Sequence, residues 1–279
     1  MRPILAGNKI IEIELSKTGT TPMASGERQI GIAWTIEDDY VATMAKGFRD
    51  KMVELNDGIS IFEYNPYVAK ERYMRDADIL VNGVYGWDNR TVAGERGFDT
   101  VDFAWWQGHG NYYYVSDDDG DGVEHGGVFN NSYDQYRYRS SQLIYGEGYD
   151  LEYLIIHSCH SLDTDWESEL GGPRWALMRN QTFKGLHMIF GFDGIAHYGF
   201  LTRNEGRKFA ECLHDGYTFI QAWHEAISDA WICPDTSGVI WCGTSLNDLN
   251  ERQNESLTNV YPDISNPTHF AGSWHSNDY

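Results

Sequence analysis

Apolar runs alternate with amphipathic stretches along most of the chain. The runs are QIGIAWT, ISIFEYN, VDFAWW, LEYLIIHSC, LHMIFGF and GVIWCG, the last in the series. Strands that are apolar along nearly their whole length are buried on both faces, which is typical of parallel sheets. The pattern therefore predicts an α/β fold in which helices cover both faces of a mostly parallel central sheet.

The stretches between the runs carry apolar residues at helical spacing. The clearest helix follows a capping box at Thr35 and Asp38, with apolar positions through residues 41–55. A second, strongly amphipathic helix is predicted at 219–231, because its apolar residues form one stripe. Helices are also predicted at 173–180 and near 203–214, and a weaker helical pattern covers residues 68–76.

The chain has no internal repeat and no low-complexity linker, so its 279 residues are predicted to form one domain. Residues 29–245 carry the alternating pattern. Residues 1–28 are expected to add a strand and turn extension. Residues 246–279 are expected to form an irregular extension packed on the same domain.

Charge excludes some classes of partner. With 42 acidic and 21 basic residues the formal net charge is -21, which argues against nucleic-acid binding. The negative charge favours cationic partners, or serves solubility alone.

No apolar run is long enough to insert into a membrane, and the N-terminus does not resemble a signal peptide. Both observations favour a cytoplasmic location. The sequence does not indicate an oligomeric state.

Two of the apolar runs end in residues that carry chemistry. FAWWQGHG contains His109 between two glycines, and YLIIHSC ends at Cys159. Functional residues of parallel sheets follow the carboxyl ends of the strands, so these two side chains meet if their strands are neighbours. A cysteine nucleophile needs a group that protonates the leaving amine, and the Gly110 N–H would face a developing oxyanion. Each residue alone is more often structural; the two together favour a catalytic dyad.

These signatures resemble the caspase-like cysteine peptidases, a group that includes caspases, metacaspases, legumain, clostripain, gingipains and separase. The shared pattern is an apolar strand ending in His-Gly and a later one ending in a small residue followed by Cys. The separation of 50 residues between His109 and Cys159 is similar to that of caspases. The chain resembles in particular an uncharacterised bacterial family with the same Gly-His-Gly and Ser-Cys signatures. His160-Ser161-Leu162 follows the cysteine, so the caspase preference for aspartate is not implied.

The resemblance implies a caspase-like sandwich and a cysteine endopeptidase that acts on peptides or proteins. Cys159 would attack the scissile carbonyl, and His109 would protonate the departing amine. The N–H groups of Gly110 and Cys159 would form the oxyanion hole. His157 and His160 flank the nucleophile; they either tune the thiol or are structural residues with satisfied hydrogen bonds, and the second interpretation is favoured.

Two further acidic features bear on specificity and metal binding. Asp163 follows the nucleophile, and Asp193 ends the next strand, where a buried carboxylate would select Arg or Lys at P1.

The dyad requires no cofactor. The stretch DDDGDG matches the first half of a calcium loop, although Val128 stands at its twelfth position. Calcium would favour an extracellular location, and a solvated acidic turn is the alternative. The candidate ligands are Asp117, Asp119, Asp121 and Glu124.

Two other functions stay open. One is a catalytically inactive caspase-like module that binds or has a structural role, with aromatic residues that either pack internally or form a binding surface. The other is a hydrolase whose metal is bound by His109, His157, Cys159 or His160, although zincin signatures are absent. The sequence contains no G-x-S-x-G elbow, no G-x-G-x-x-G, no P-loop and no C-x-x-C pair, which argues against serine hydrolases, the usual nucleotide sites and zinc ribbons.

Overall fold

The computed structural model describes residues 28–34, 39–55, 60–63, 80–81, 84–85, 91–92, 95–108, 145, 151–163, 182–200, 202–229 and 235–276. Fifteen strands and α-helices lie within these ranges, and a 3₁₀ helix at Phe98–Thr100 precedes β7. In chain order they are β1 (Gln29–Trp34), α1 (Asp39–Leu55), β2 (Ser60–Glu63), β3 (Leu80–Val81), β4 (Val84–Tyr85), β5 (Thr91–Val92), β6 (Glu95–Arg96), β7 (Phe103–Gln107), β8 (Tyr153–His157), β9 (Met188–Asp193), α2 (Glu205–His214), α3 (Phe219–Ser228), β10 (Thr236–Gly243), α4 (Leu246–Arg252) and β11 (His269–Ser276).

The central sheet has seven strands in the order β11-β10-β9-β8-β7-β1-β2. The five strands from β9 to β2 are parallel to one another. β10 is antiparallel to both β9 and β11. The strands β3–β4 and β5–β6 form two short separate hairpin pairs. The prediction of an α/β fold with a mostly parallel sheet is therefore confirmed.

Side chains of each central strand alternate between two apolar layers, because successive residues of a strand point to opposite faces. Phe103 and Trp105 lie in the first layer, and Ala104 and Trp106 lie in the second. All four described α-helices contribute residues to the first layer. The second layer is completed by the 3₁₀ helix and by residues such as Phe183. The helix predicted at 173–180 lies outside the described residues.

The C-terminal part of the chain corrects the sequence interpretation. The run GVIWCG is not the last strand, because β11 pairs with it along its whole length. Residues 246–279 are not irregular throughout, since they contain α4 and β11. The helix predicted at 219–231 is present, and it ends at Ser228 with Asp229 as its C-cap.

A buried ionic cluster fastens this C-terminal segment to the amino ends of β8 and β9. His187 Nδ1 lies 2.7 Å from Glu255 Oε1, and its Nε2 lies 3.2 Å from Asp263 Oδ1. Tyr153 donates its hydroxyl hydrogen to the same Glu255 oxygen at 3.0 Å. Burial alone would lower the pKa of His187, but the two carboxylates outweigh it and raise the pKa to about 9. His187 is therefore a buried cation at neutral pH.

Candidate active site

The carboxyl ends of β7, β8 and β9 lie at one edge of the sheet, together with the amino end of β10, because β10 runs in the opposite direction. Gln107 at the end of β7 is paired with His157 at the end of β8. The Gly108 N–H then donates to the His157 carbonyl at 3.3 Å. The two strands predicted to carry the dyad are thus direct neighbours, and they end at the same level.

The described residues contain part of the predicted site. Cys159, Asp163 and Asp193 all lie at this edge of the sheet. His109 and Gly110 follow Gly108 in the chain and lie outside the described residues. So do the four calcium candidates Asp117, Asp119, Asp121 and Glu124.

Neither a metal centre nor a membrane span is found in the part of the chain that the structure describes. In those ranges no three His, Cys, Asp or Glu side chains are arranged to hold a metal ion. None of the described helices combines the length and apolar composition that crossing a bilayer requires.

Cys159 differs from the two other described cysteines in its exposure. Cys159 is partly exposed, whereas Cys212 and Cys242 are buried. Burial raises the pKa of Cys242 to about 12, so this thiol stays protonated and inert. The Sγ of Cys159 accepts a hydrogen bond from the Ala196 N–H at 3.4 Å and lies 3.5 Å from the Ala196 carbonyl oxygen. The N–H donor stabilises a thiolate, whereas the carbonyl oxygen accepts a hydrogen bond from the protonated thiol, so the two contacts act in opposite directions.

The turn that follows β8 is held by hydrogen bonds to β9. Ser161 donates its hydroxyl hydrogen to the Ile156 carbonyl at 3.1 Å and accepts the Phe192 N–H at 2.9 Å. This close approach requires Gly191, because a Cβ there would lie 2.4 Å from the Ser161 Oγ. The turn therefore holds Cys159 on a fixed backbone.

His160 has a structural role in the same turn. Its φ of 56° lies in the left-handed region, which is uncommon for residues other than glycine. Its N–H donates to the Gly194 carbonyl, and its Nδ1 lies 2.9 Å from Asp163 Oδ2. Asp163, predicted as a specificity residue, is thus engaged by His160 and largely buried. The interpretation of His160 as a structural residue agrees with these contacts.

His157, two residues before Cys159, is buried and pairs with the first residue of α2. Its Nε2 lies 2.7 Å from Glu205 Oε2, and both side chains are almost fully buried. The imidazole stacks on Trp105, with ring centroids 5.8 Å apart. Within the described structure, His157 Nδ1 and Glu205 Oε1 have no hydrogen-bond partner. We expected a structural histidine with satisfied hydrogen bonds. Nε2 of His157 has a hydrogen-bond partner, and Nδ1 has none within the described structure.

The pair is uncharged at neutral pH. Burial lowers the pKa of His157 to about 3, and burial together with the nearby Asp235 raises the pKa of Glu205 well above its ordinary value. The N-terminus of a helix favours a carboxylate, but only by about 0.3–1 kcal/mol, which is less than the cost of burying an unpaired charge. Glu205 therefore donates its acid proton to the His157 Nε2.

The segment 194–198, which follows β9, contacts Cys159, the turn that carries it and the described ends of β7 and β8. The Gly194 carbonyl meets the turn after β8, and Ala196 meets the thiol. The Tyr198 hydroxyl donates to the carbonyl oxygens of Gly108 and His157, the latter at 3.0 Å. Three successive strand ends are thus joined by one short segment.

The one imidazole on this segment, that of His197, is partly exposed to solvent. His197 Nδ1 is hydrogen bonded to Asp235 Oδ1, and its N–H donates to Asp235 Oδ2 at 3.1 Å. The His197 side chain is 41% exposed, whereas that of Asp235 is 1% exposed. A buried carboxylate therefore fixes the orientation of an accessible imidazole one residue from Ala196.

The sequence interpretation missed four residues of this edge, namely Glu205, His197, Tyr198 and Asp235. His197 and Tyr198 follow an apolar strand, so the criterion that selected His109 and Cys159 would have selected them also. Glu205 and Asp235 carry no local signal, because their importance comes from partners 48 and 38 residues away in the chain.

The chain was also compared with known proteins. A family model described as "Domain of unknown function (DUF6345)" matches residues 35–277. No curated protein matches the chain. Since the family model spans most of the sequence, the chain belongs to the DUF6345 family.

Proposed function

We propose that this protein is a cysteine endopeptidase of caspase-like architecture, with Cys159 as nucleophile and His109 as its partner. The observation that carries the proposal is the pairing of β7 with β8, in which Gln107 stands opposite His157. His109 follows Gln107 by two residues, and Cys159 follows His157 by two residues. β7 and β8 are neighbouring parallel strands that end at the same level. The chain therefore leaves the same edge of the sheet towards His109 and towards Cys159.

In the proposed reaction the Cys159 thiolate attacks the scissile carbonyl carbon, and the carbonyl oxygen becomes an oxyanion. The C–N bond then breaks, and His109 gives its proton to the leaving amine. Water attacks the thioester, which releases the carboxylic acid and restores the thiol. The backbone N–H groups of Gly110 and Cys159 are the proposed oxyanion donors.

The exposure of the three described thiols supports the choice of nucleophile. Cys159 is the only one of them that is partly exposed, and it lies in a turn that hydrogen bonds hold to β9. A thiol that reacts with a substrate needs both access and a fixed position.

Rates of alkylation by iodoacetamide test whether Cys159 is activated. An activated Cys159 should react faster in the folded protein than the same thiol does in the urea-unfolded chain, which serves as the reference for an ordinary thiol. A metal ligand should be protected until a chelator is added. A rate in the folded protein at or below the reference would contradict the peptidase proposal.

A preference for basic P1 residues is the second part of the proposal. Asp193 ends β9 at the edge that carries Cys159, and the net charge of -21 favours cationic substrates. A carboxylate at either Asp193 or Asp163 would match the bidentate geometry of a guanidinium, and Asp193 is the one that ends the strand itself. Acyloxymethyl ketone probes with Arg or Asp at P1 distinguish the cases, because only the Arg probe should label Cys159 rapidly. Equal labelling would contradict the basic preference.

One observation favours a second candidate, a caspase-like module that binds without catalysis. The Cys159 sulfur is in contact with both main-chain polar atoms of Ala196, so the protein's own backbone occupies part of its surroundings. In a binding module this contact would persist when peptides are added. Alkylation at an ordinary rate, without hydrolysis of any peptide, is the outcome that this candidate predicts.

A further inference from the structure

The hydroxyl of Tyr198 lies where the pairing of β7 with β8 ends. It donates to the carbonyl oxygens of Gly108 and His157, one on each strand end. A phenol has a single hydrogen, which the two carbonyls share. The Gly108 N–H also donates to the His157 carbonyl, at 3.3 Å. One side chain thus spans the gap between the strands immediately before His109 and Cys159.

Tyr198 is itself held on several sides. Its ring lies 5.5 Å from the His157 ring, and it packs against the apolar layer beneath the site. Two residues before it, Ala196 contacts the Cys159 sulfur through its N–H and its carbonyl oxygen. The hydroxyl therefore fixes the strand ends and also the segment that contacts the thiol.

We propose that Tyr198 is a positioning residue of the peptidase site, whose hydroxyl holds the ends of β7 and β8 at the separation that the Cys159–His109 dyad requires. This inference rests on the proposed function. Tyr198 acts through the main chain and not on the substrate. Burial, and next the proximity of Cys159, raise the pKa of Tyr198 well above its ordinary value, so the hydroxyl remains a donor throughout the working pH range.

The test compares Tyr198→Phe with Tyr153→Phe. Tyr153 is a matched control, because its hydroxyl also makes a buried hydrogen bond, to Glu255, but at the opposite edge of the sheet. Each variant loses one hydroxyl and keeps its ring. We expect Tyr198→Phe to lower kcat by about tenfold to a hundredfold with KM unchanged, since small displacements of catalytic groups have effects of that size. We expect kcat and KM of Tyr153→Phe, calculated per folded molecule, to equal those of the wild type.

The thermal midpoints of both variants are measured alongside. If kcat of Tyr198→Phe falls only as far as that of the control, the proposal is overturned. It is also overturned if Tyr198→Phe does not fold while Tyr153→Phe does, because the hydroxyl would then be needed for folding.

Alkylation of Cys159 tests the positioning role of Tyr198 even if the protein is not a peptidase. If the wild-type protein cleaves no peptide, the peptidase assignment fails, and the pH dependence of Cys159 alkylation decides the positioning role alone. Loss of the Tyr198 hydroxyl should loosen both contacts of Ala196 with the sulfur and so change the dependence of Cys159 alkylation on pH. A profile identical to that of Tyr153→Phe would overturn the role.

Discussion

Replacing Glu205 with glutamine should change how the free energy of unfolding depends on pH. In the folded protein Glu205 is protonated and His157 is neutral, so the pair holds one proton and no net charge. In the unfolded chain the ordinary pKa values are 4.5 for the acid and 6.5 for the imidazole. Between these values the unfolded pair also holds one proton, on His157. The contribution of the pair to stability is therefore constant in that range.

Outside that range the folded and unfolded states differ by one proton. Above pH 6.5 the unfolded pair loses its proton while the folded pair keeps it, so stability falls as pH rises towards the raised pKa of Glu205. The slope approaches about 1.4 kcal/mol per pH unit. Below pH 4.5 the unfolded pair gains a second proton, and stability falls as pH decreases towards the lowered pKa of His157, about 3.

Glu205→Gln removes the alkaline part of this dependence and extends the acid part up to pH 6.5, because below that pH the unfolded His157 binds a proton that the folded His157 does not. The glutamine amide N–H still donates to His157 Nε2, and no acid titrates at the position. Urea unfolding of both proteins at about pH 7 and about pH 8 measures the difference in their free energies of unfolding. We expect the wild type to lose about 1 kcal/mol relative to the variant over that unit. Parallel curves would show that Glu205 is ionised in the folded state and would refute the neutral pair.

Two further predictions concern the core and the opposite edge of the sheet. Gly206→Ala should destabilise the protein by about 1–3 kcal/mol, because the new Cβ would lie 2.1 Å from the Met44 carbonyl oxygen, whereas Gly199→Ala has nothing within 4 Å and serves as the control; equal urea midpoints for the two variants would contradict this packing. His187→Ala should cost about 3–5 kcal/mol at neutral pH by leaving Glu255 as an uncompensated buried charge. The contribution of His187 is complete below pH 6.5 and is lost as pH rises through about 9, so urea titrations should find that the difference from wild type shrinks at alkaline pH.

The strands near the site could be predicted from the sequence because each has a strong local signal. β7, β8 and β9 are apolar on both faces, and a continuous apolar run bounded by turn residues identifies such strands. α3 was equally readable, since its buried residues form one stripe and Thr218 and Gln221 form a capping box. The α/β class follows from the alternation of these two signals.

Other parts of the fold could not be predicted in this way. β11 contains the polar residues Ser273, His275 and Ser276, and it is a strand because β10 supplies a complete pairing partner. The neutral pair of His157 and Glu205 depends on burial from both sides, which no local pattern records. Contacts between distant segments decide both cases.

Peptide hydrolysis is the decisive test of the proposal that Cys159 and His109 form a peptidase dyad. Wild type, Cys159→Ala and His109→Ala are assayed on substrates that differ at P1, with and without calcium at about millimolar concentration. Cys212→Ala controls for loss of an uninvolved, buried thiol. We expect that wild type and Cys212→Ala cleave, that both dyad variants lose activity, and that basic P1 residues are preferred. Cleavage that persists in Cys159→Ala, or no cleavage by the wild type under any condition, would contradict the proposal.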